Sequence, residues 1–254
     1  MIKFMNNLKT QKIITHNLNI ISTENLLKEF EKFSFSNNGH YICITPVHAI
    51  IEAYNNKNFS EVVNNADLAL PDGRPVYWAL KLLKHKDTGH FPGYLVTKLI
   101  CELAAKNKFK VGFYGGKIET LNKYLKKLKS DFKELDVGYI YSPPFRALNG
   151  NEKDLIIKDI NESKIQFLFV CLGCPKQEFW MAEHKETIKC TKVGIGAAIE
   201  FIAGTGYLPP VWIQKFGLWW LIRLILEPRR LFWRYFSTNF KFIYLFFKQY
   251  LKIK

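Results

Sequence analysis

Acid is scarce in this chain. Asp and Glu together number 22 against 37 Lys and Arg, which leaves a net charge of +15. Such an excess points to an anionic partner: phosphate, nucleic acid or an acidic membrane surface. Long apolar runs are missing too. No stretch of about 18 uncharged apolar residues occurs, so no spanning helix is expected. The opening "MIKFMNNLKTQKIITHNLNI" has no apolar core of the kind a signal peptide needs. Cysteines are few and odd in number, Cys43, Cys101, Cys171, Cys174 and Cys190. Most lie in apolar strand-like runs, which fits reduced cytosolic thiols better than a disulfide framework. No internal repeat and no low-complexity linker interrupts the chain.

What is present is alternation. The 254 residues, 48% hydrophobic and 15% aromatic, suffice for one large α/β domain, or one domain with a small appendage. Apolar runs "YICIT" (41–45), "DLAL" (67–70), "KVGFYG" (110–115), "DVGYIY" (136–141), "IQFLFVCLG" (165–173) and "KVGIGAA" (192–198) are separated by helical patterns such as "ETLNKYLKKLKSDF" and "KQEFWMAEHKE". Strands that are apolar throughout are buried on both faces, which predicts a mostly parallel sheet flanked by helices. The spacing predicts βαβ units with right-handed crossovers. Composition shifts once, at Pro209-Pro210, dividing a core of residues 1–208 from an aromatic, basic appendage of residues 209–254. From Lys215 onward nine Lys and Arg face one acid, Glu227, so over half of the net charge lies there.

Several loops between strand and helix carry chemistry. "DLALPDGRP" (67–75) ends an apolar run with a carboxylate on a turn. Asp72 and Gly73 suit a turn, and Asp can cap the next helix. Strand ends are also where open α/β sheets keep reactive groups, and Arg74 is close enough in sequence to tune Asp72. In "FYGGK", Gly115 and Gly116 either let backbone N–H groups approach a phosphate at a helix N-terminus or form a tight turn. Neither the full dinucleotide fingerprint nor a G-x-x-x-x-G-K-[ST] loop occurs. In "LGCPKQEFW", Gly173 ends a strand, Pro175 takes a first helical position, and Lys176 and Gln177 can hold a phosphate or a sugar hydroxyl. Cys171 and Cys174 have C-x-x-C spacing, readable as a redox or metal pair or as structural thiols. In "GIGAAIEFIAGT", small residues allow a ligand close to the backbone and Glu200 can accept from a ribose diol; tight strand–helix packing explains the same residues. His48 and Glu52 share a helix face with no third ligand, so no metal site is expected. None of the seven Asp lies two residues from another, so no D-x-D pair is present to hold a divalent ion on a diphosphate. Arg, Lys or helix N-termini would neutralise that diphosphate instead.

The tail "FGLWWLIRLILEPRRLFWRYFSTNFKFIYLFFKQYLKIK" is the strongest physical signal. Phe240, Ile243, Tyr244, Phe247 and Leu251 follow i, i+3, i+4, i+7 spacing, with Lys241, Lys248 and Lys252 on another side. Cationic amphipathic helices of this kind lie in membrane interfaces, and anionic lipid attracts about 1 kcal/mol per basic residue near its surface. The alternative is a terminal helix docked on its own domain. Removing residues 237–254 is expected to separate the two. No nucleic-acid partner is expected, since no binding motif accompanies the charge.

Together "ADLALPDGRPVYWALK", "LGCPKQEFW", "GIGAAIEFIAGT" and "WWLIRLILEPRRLFWRY" resemble the WecG/TagA/CpsF family of bacterial glycosyltransferases, over about Tyr41 to Tyr235. The resemblance implies a Rossmann-like α/β fold with a C-terminal helical membrane-binding appendage. It implies an inverting transfer, without an obligatory metal or other cofactor, from a UDP-sugar donor to a polyprenyl-diphosphate-linked sugar at the cytoplasmic membrane face. An N-acetylhexosamine such as N-acetylmannosamine is the expected sugar, and a cell-surface polysaccharide or teichoic-acid-like polymer the product. Asp72 falls at the family's catalytic base and Gln177 at its P-K-Q-E glutamine. Arg223, Arg229 and Arg230 fall in its R-L-x-x-E-P-R-R motif, with Arg234 beyond, around the acceptor phosphates and the membrane. Thr45, Gly73, Arg74, Gly115, Gly116, Gly173, Pro175, Lys176 and Glu200 complete the expected substrate-binding set. Departures stand out: only Thr45 remains of a T-x-N motif, His90 and Leu95 stand at the Arg and Asp of R-V-x-G-x-D, and Trp219 replaces a Glu; His90 is still counted with Asp72 and Gln177 as a catalytic candidate, able to donate a hydrogen bond to phosphate. They suggest, as an alternative, a non-catalytic nucleotide-sugar or lipid-binding homologue.

Overall fold

A computed structural model describes residues 8–204 and 206–253, apart from the side chains of Ile202, Val211, Lys215, Arg230 and Arg234. The chain begins with a hairpin, β1 (Thr10–Ile13) and β2 (His16–Asn19), then α1 (Thr23–Ser34) and β3 (Tyr41–Thr45). Helices α2 (Val47–Asn55) and α3 (Lys57–Asn64) lead to β4 (Leu68–Pro71), α4 (Arg74–Leu82) and α5 (Gly93–Asn107). Then β5 (Lys110–Gly115), α6 (Ile118–Asp131), β6 (Asp136–Tyr141), α7 (Gly150–Glu162), β7 (Phe167–Cys171), α8 (Lys176–Glu183), β8 (Thr191–Gly194) and α9 (Ala198–Ile202) follow in strict alternation. Three helices close the chain: α10 (Val211–Lys215), α11 (Trp219–Leu226) and α12 (Pro228–Tyr250).

Six strands form one sheet in the order β4-β3-β8-β7-β5-β6. The pairs β3–β8, β8–β7, β7–β5 and β5–β6 are all parallel, as expected from the apolar runs. Every residue of β3, β4, β7 and β8 is buried, whereas β6 alternates between exposed and half-buried positions. The difference follows from position, since β6 is an edge strand whose outer face keeps water. Two compact units divide the chain, one of residues up to 25, 44–92 and 209–254, the other of residues 26–43 and 93–208.

In the second unit Phe30 of α1 meets Phe167 edge to face, and Phe113 stacks on Phe169 at 5.1 Å. Leu121, Tyr124 and Leu128 of α6, at i, i+3 and i+7, are buried as its periodicity predicts. Helix α7 is started by a capping box, Asn149 with Glu152.

The first unit is built around the hairpin and the last helix. Ile13, Leu18, Ile50, Val76, Phe242 and Phe246 share one buried cluster. Gln249 ties α12 to the hairpin, its Oε1 accepting from Ile14 N–H (2.7 Å) and its Nε2 donating to Lys12 O (2.8 Å). The tail therefore has two apolar faces. Phe242 and Phe246 dock inward, while Phe240, Ile243, Tyr244, Phe247 and Leu251 stay exposed, continuing an outer stripe that begins at Trp233 and Phe236. Removing residues 237–254 would therefore not separate a membrane stripe from a docked helix, since the cut takes Phe242 and Phe246 out of the core. No helix among the described residues is long and apolar enough to cross a membrane.

Replacing a buried Phe by Ala typically costs about 3–5 kcal/mol, whereas an exposed position moves stability by about 0.5 kcal/mol or less. Phe246→Ala should therefore lower the melting temperature sharply and Phe247→Ser should hardly change it, as thermal denaturation followed by circular dichroism will show.

Candidate active site

The candidate site of the first unit is set by the turn after β4. The N–H of Asp72 donates to Thr45 O (3.0 Å), which fastens the end of β4 to the end of β3. Gly73, at φ 76°, and not Asp72, takes the N-cap position of α4, so the capping role open to Asp72 is not the one it has. One carboxylate oxygen, Oδ1, accepts the Gly73 N–H (2.7 Å). Burial of the carboxyl group pushes its pKa up to about 6, against the opposing pull of that N–H and of the Arg223 guanidinium. A carboxylate at that value is ionised at neutral pH yet basic enough to take a proton from a hydroxyl.

The cation acting on Asp72 is thus Arg223 of α11, not its sequence neighbour Arg74. Arg74 donates from Nε to Gln214 O (2.9 Å) and lies over the Tyr77 ring. Gly217 packs beside it: at φ +70°, a Cβ there would sit 2.6 Å from the Trp78 ring and 2.9 Å from Arg74 Cβ. Glycine is required by both backbone and space, and the close approach seats the α10–α11 segment on α4. Arg223 also pairs with Glu227 at 3.8 Å. Arg229 is exposed on α12. The side chains of Arg230 and Arg234 lie outside the described residues.

His90 is close by but is no substitute for an arginine. Phe91 N–H donates to Pro71 O (2.9 Å), which draws this loop along the end of β4, and the His90 ring meets Tyr77 edge to face at 5.7 Å. Burial, aided by the charge of Arg74, lowers its pKa to about 4. At neutral pH it is an uncharged ring whose buried Nε2 has no hydrogen-bond partner among the described residues. Thr45 is buried, its Oγ1 3.3 Å from His16 Nε2.

In the second unit, the remaining candidates lie on the loops after β5, β7 and β8 and in the helices those loops lead into. Gly115 and Gly116 both have positive φ, 101° and 80°. A Cβ at Gly115 would come within 2.9 Å of the Cys171 carbonyl carbon, so close packing of β5 on β7 explains that glycine. Gly173 and Pro175 form the turn into α8, where Lys176 is exposed. Glu200 is exposed on α9. Gln177 points inward: its Oε1 accepts from Gly173 N–H (3.2 Å) and its Nε2 donates to Glu178 Oε1 (2.9 Å). Its amide is committed to holding the turn. Glu178, buried beside it, has its pKa raised mainly by burial. Sequence reasoning passed over His16, since an imidazole with no spacing motif gives no signal until its burial is seen, and gave Glu178 no role beyond its place in the P-K-Q-E turn. Cys171 is buried, its thiol pushed far above the ordinary range, which makes it a structural thiol and not half of a redox pair.

A parallel α/β sheet with a tuned carboxylate at one strand end and an arginine beside it has the plan of a group-transfer enzyme. Comparison with known proteins agrees: the model of the glycosyl transferase WecG/TagA/CpsF family matches residues 11–254. The chain belongs to this family and is a glycosyltransferase. Among its relatives, an N-acetylglucosaminyldiphosphoundecaprenol N-acetyl-beta-D-mannosaminyltransferase of Bacillus subtilis (strain 168) is 25% identical over 184 residues, covering 70% of this chain and 68% of the relative. A protein of the same name from Bacillus spizizenii is 28% identical over 202 residues, covering 78% and 75%. Another from Staphylococcus aureus (strain NCTC 8325 / PS 47) is 24% identical over 197 residues, covering 77% and 76%.

The raised pKa of Asp72 has a consequence for stability. Its folded pKa, about 6, lies above the ordinary value of 3.8, so the fold favours the protonated acid. Ionisation costs stability progressively as pH rises from about 4 to about 6, and in full above that. Asp72→Asn, which keeps an oxygen for the Gly73 N–H, should raise the melting temperature at pH 7.5 and lose that advantage below about pH 4. Thermal scans of both proteins across pH test this.

Proposed function

We propose that this glycosyltransferase moves an N-acetylhexosamine, with N-acetylmannosamine the favoured sugar, from a UDP-sugar to a polyprenyl-diphosphate-linked N-acetylglucosamine, with inversion. The observation that carries the reading is the Asp72 carboxylate, tuned to about 6 beside Arg223; the names of the relatives supply the acceptor and the transferred sugar. The acceptor hydroxyl attacks the anomeric carbon as its proton passes to Asp72. The new carbon–oxygen bond forms while the bond to the β-phosphate oxygen breaks, and UDP leaves with the electron pair. Arg223, with Arg229 and the arginines at 230 and 234, serves the phosphates of the lipid acceptor. The donor nucleotide is assigned to Gly116, Gly173, Lys176 and Glu200. The reading places the enzyme peripherally at the cytoplasmic membrane face, the exposed stripe of α12 and its lysines meeting anionic lipid. It contributes to a cell-surface polymer of the teichoic-acid or polysaccharide kind.

A second reading, a non-catalytic homologue that binds nucleotide-sugar or lipid, is favoured by the uncharged His90 in the place of an arginine. Assays of UDP release from UDP-sugars with a short-chain prenyl-diphosphate acceptor separate the two: binding of UDP with no release for any competent acceptor supports the second.

If Asp72 is the base, Asp72→Asn should lower turnover by about 10²–10⁴-fold while UDP still binds. The wild-type rate should fall below about pH 6 as Asp72 is protonated. Arg223→Met removes a charge that holds this pKa down, so the acid limb of kcat/KM should move to higher pH. Turnover of the Asp72→Asn enzyme within a few-fold of wild type would return Asp72 to the role of a turn residue. For the membrane, replacing Phe240, Ile243, Tyr244 and Phe247 by Ser should weaken sedimentation with anionic liposomes, most clearly at low salt, without lowering the melting temperature. Undiminished sedimentation would remove the outer stripe from the interface.

A further inference from the structure

His16 lies in the hairpin, outside every motif considered so far. Its side chain is wholly buried, and its one hydrogen bond among the described residues runs from ring Nε2 to Thr45 Oγ1, 3.3 Å away. Ring Nδ1 is also buried and has no partner among them. Burial drives the pKa of the ring down to about 3, so it is neutral under all ordinary conditions. A neutral imidazole carries one proton, and its tautomer is set by the bond it makes. With the proton on Nδ1, a buried donor would have nothing to meet. With the proton on Nε2, it is used in the bond to Thr45 and only a lone pair is left over. The second arrangement costs less. Thr45 then accepts at its hydroxyl oxygen and keeps its own hydrogen to donate. The same residue accepts the Asp72 N–H at its main-chain oxygen (3.0 Å). The hairpin and the segment just after it hold this corner at two further points: Asn19 Oδ1 accepts from Ala69 N–H (2.7 Å), and Ile21 O accepts from Gly89 N–H (2.8 Å), next to His90.

We propose that His16 is a positioning residue for Asp72: through Thr45, to which both are hydrogen-bonded, it fixes the strand end that carries the base. The proposal rests on the glycosyl-transfer reading for its kinetic arm only. A base displaced by about 1 Å can lose about 10²-fold in rate, and His16 is the buried polar contact between the hairpin and the residue that holds Asp72 in place. Apolar packing alone would fill the space without directing the Thr45 hydroxyl.

The test compares His16→Met, which fills the space without a donor, with His16→Gln, whose Nε2 can stand where the imidazole Nε2 stood. His16→Met should lower kcat by about 10–10²-fold with KM for the UDP-sugar nearly unchanged, and His16→Gln should recover most of it. The carboxyl ¹³C resonance of Asp72 should move in His16→Met and return toward wild type in His16→Gln. In wild-type protein, ¹⁵N spectra of the histidines should show His16 with its proton on Nε2. Equal turnover in His16→Met and wild type, equal loss in both variants, an unmoved Asp72 resonance, or a proton on Nδ1 would each overturn the proposal. The two spectroscopic readings need no activity, so they judge His16 even if the wild-type protein transfers no sugar. The tautomer also judges it if a variant fails to fold.

Discussion

A half-buried carboxylate at the end of β4 governs much of the first unit. Asp72 would be stable as a neutral acid, and ionising it works against the fold. What restores the charged form is local: one N–H from Gly73 and the field of Arg223. Both depend on chain that is remote in sequence or unusual in conformation. Gly73 must take a positive φ, and Arg223 must be delivered by α11, which is seated through Gly217 against Trp78 and Arg74. The carboxylate is thus poised between two states by groups that a small displacement would alter, which is the condition a general base requires at neutral pH.

The last helix answers two demands with one sequence. Phe242 and Phe246, together with Gln249, are spent on the first unit, and the outer stripe from Trp233 to Leu251 stays exposed. Lys241 shows how the two are kept apart: its ammonium bonds Asn55 and lies over the Tyr54 ring, so this charge steadies α12 on α2.

The central strands and their helices were legible in the sequence because burial on both faces leaves an unbroken apolar run. Thus "YICIT" and "KVGFYG" coincide with β3 and β5 residue for residue. The hairpin was not legible. Its turn holds Ile14 at φ 61°, where Asn or Gly would have announced it, and its strands, "TQKI" and "HNLN", are mostly polar. For the site, the position of Asp72 at a strand end could be read from "LALPDG", but its tuning partner could not: Arg223 is far along the chain, and Arg74, the obvious neighbour, is turned to Gln214. Gln177 shows a similar limit. A glutamine at a helix start reads as a ligand-facing group, and whether it faces out or in depends on Gly173 and Glu178, which only the fold brings into register. The apolar positions of the tail were recognised, yet periodicity could not say which of two adjacent stripes meets protein.

The inward stripe also bears on the order in which the protein is made. Phe242 and Phe246 belong to a cluster with Ile13 and Leu18, at the other end of the sequence. On the ribosome the second unit has all of its residues once 208 has emerged, whereas the first must wait for α12. Until then the hairpin and the corner that carries Asp72 lack part of their core, with Ile13, Leu18 and Ile50 incompletely covered. The nascent chain therefore passes through a stage in which the second unit is complete and the first is not, and the corner that carries Asp72 gains its full core only once α12 has emerged.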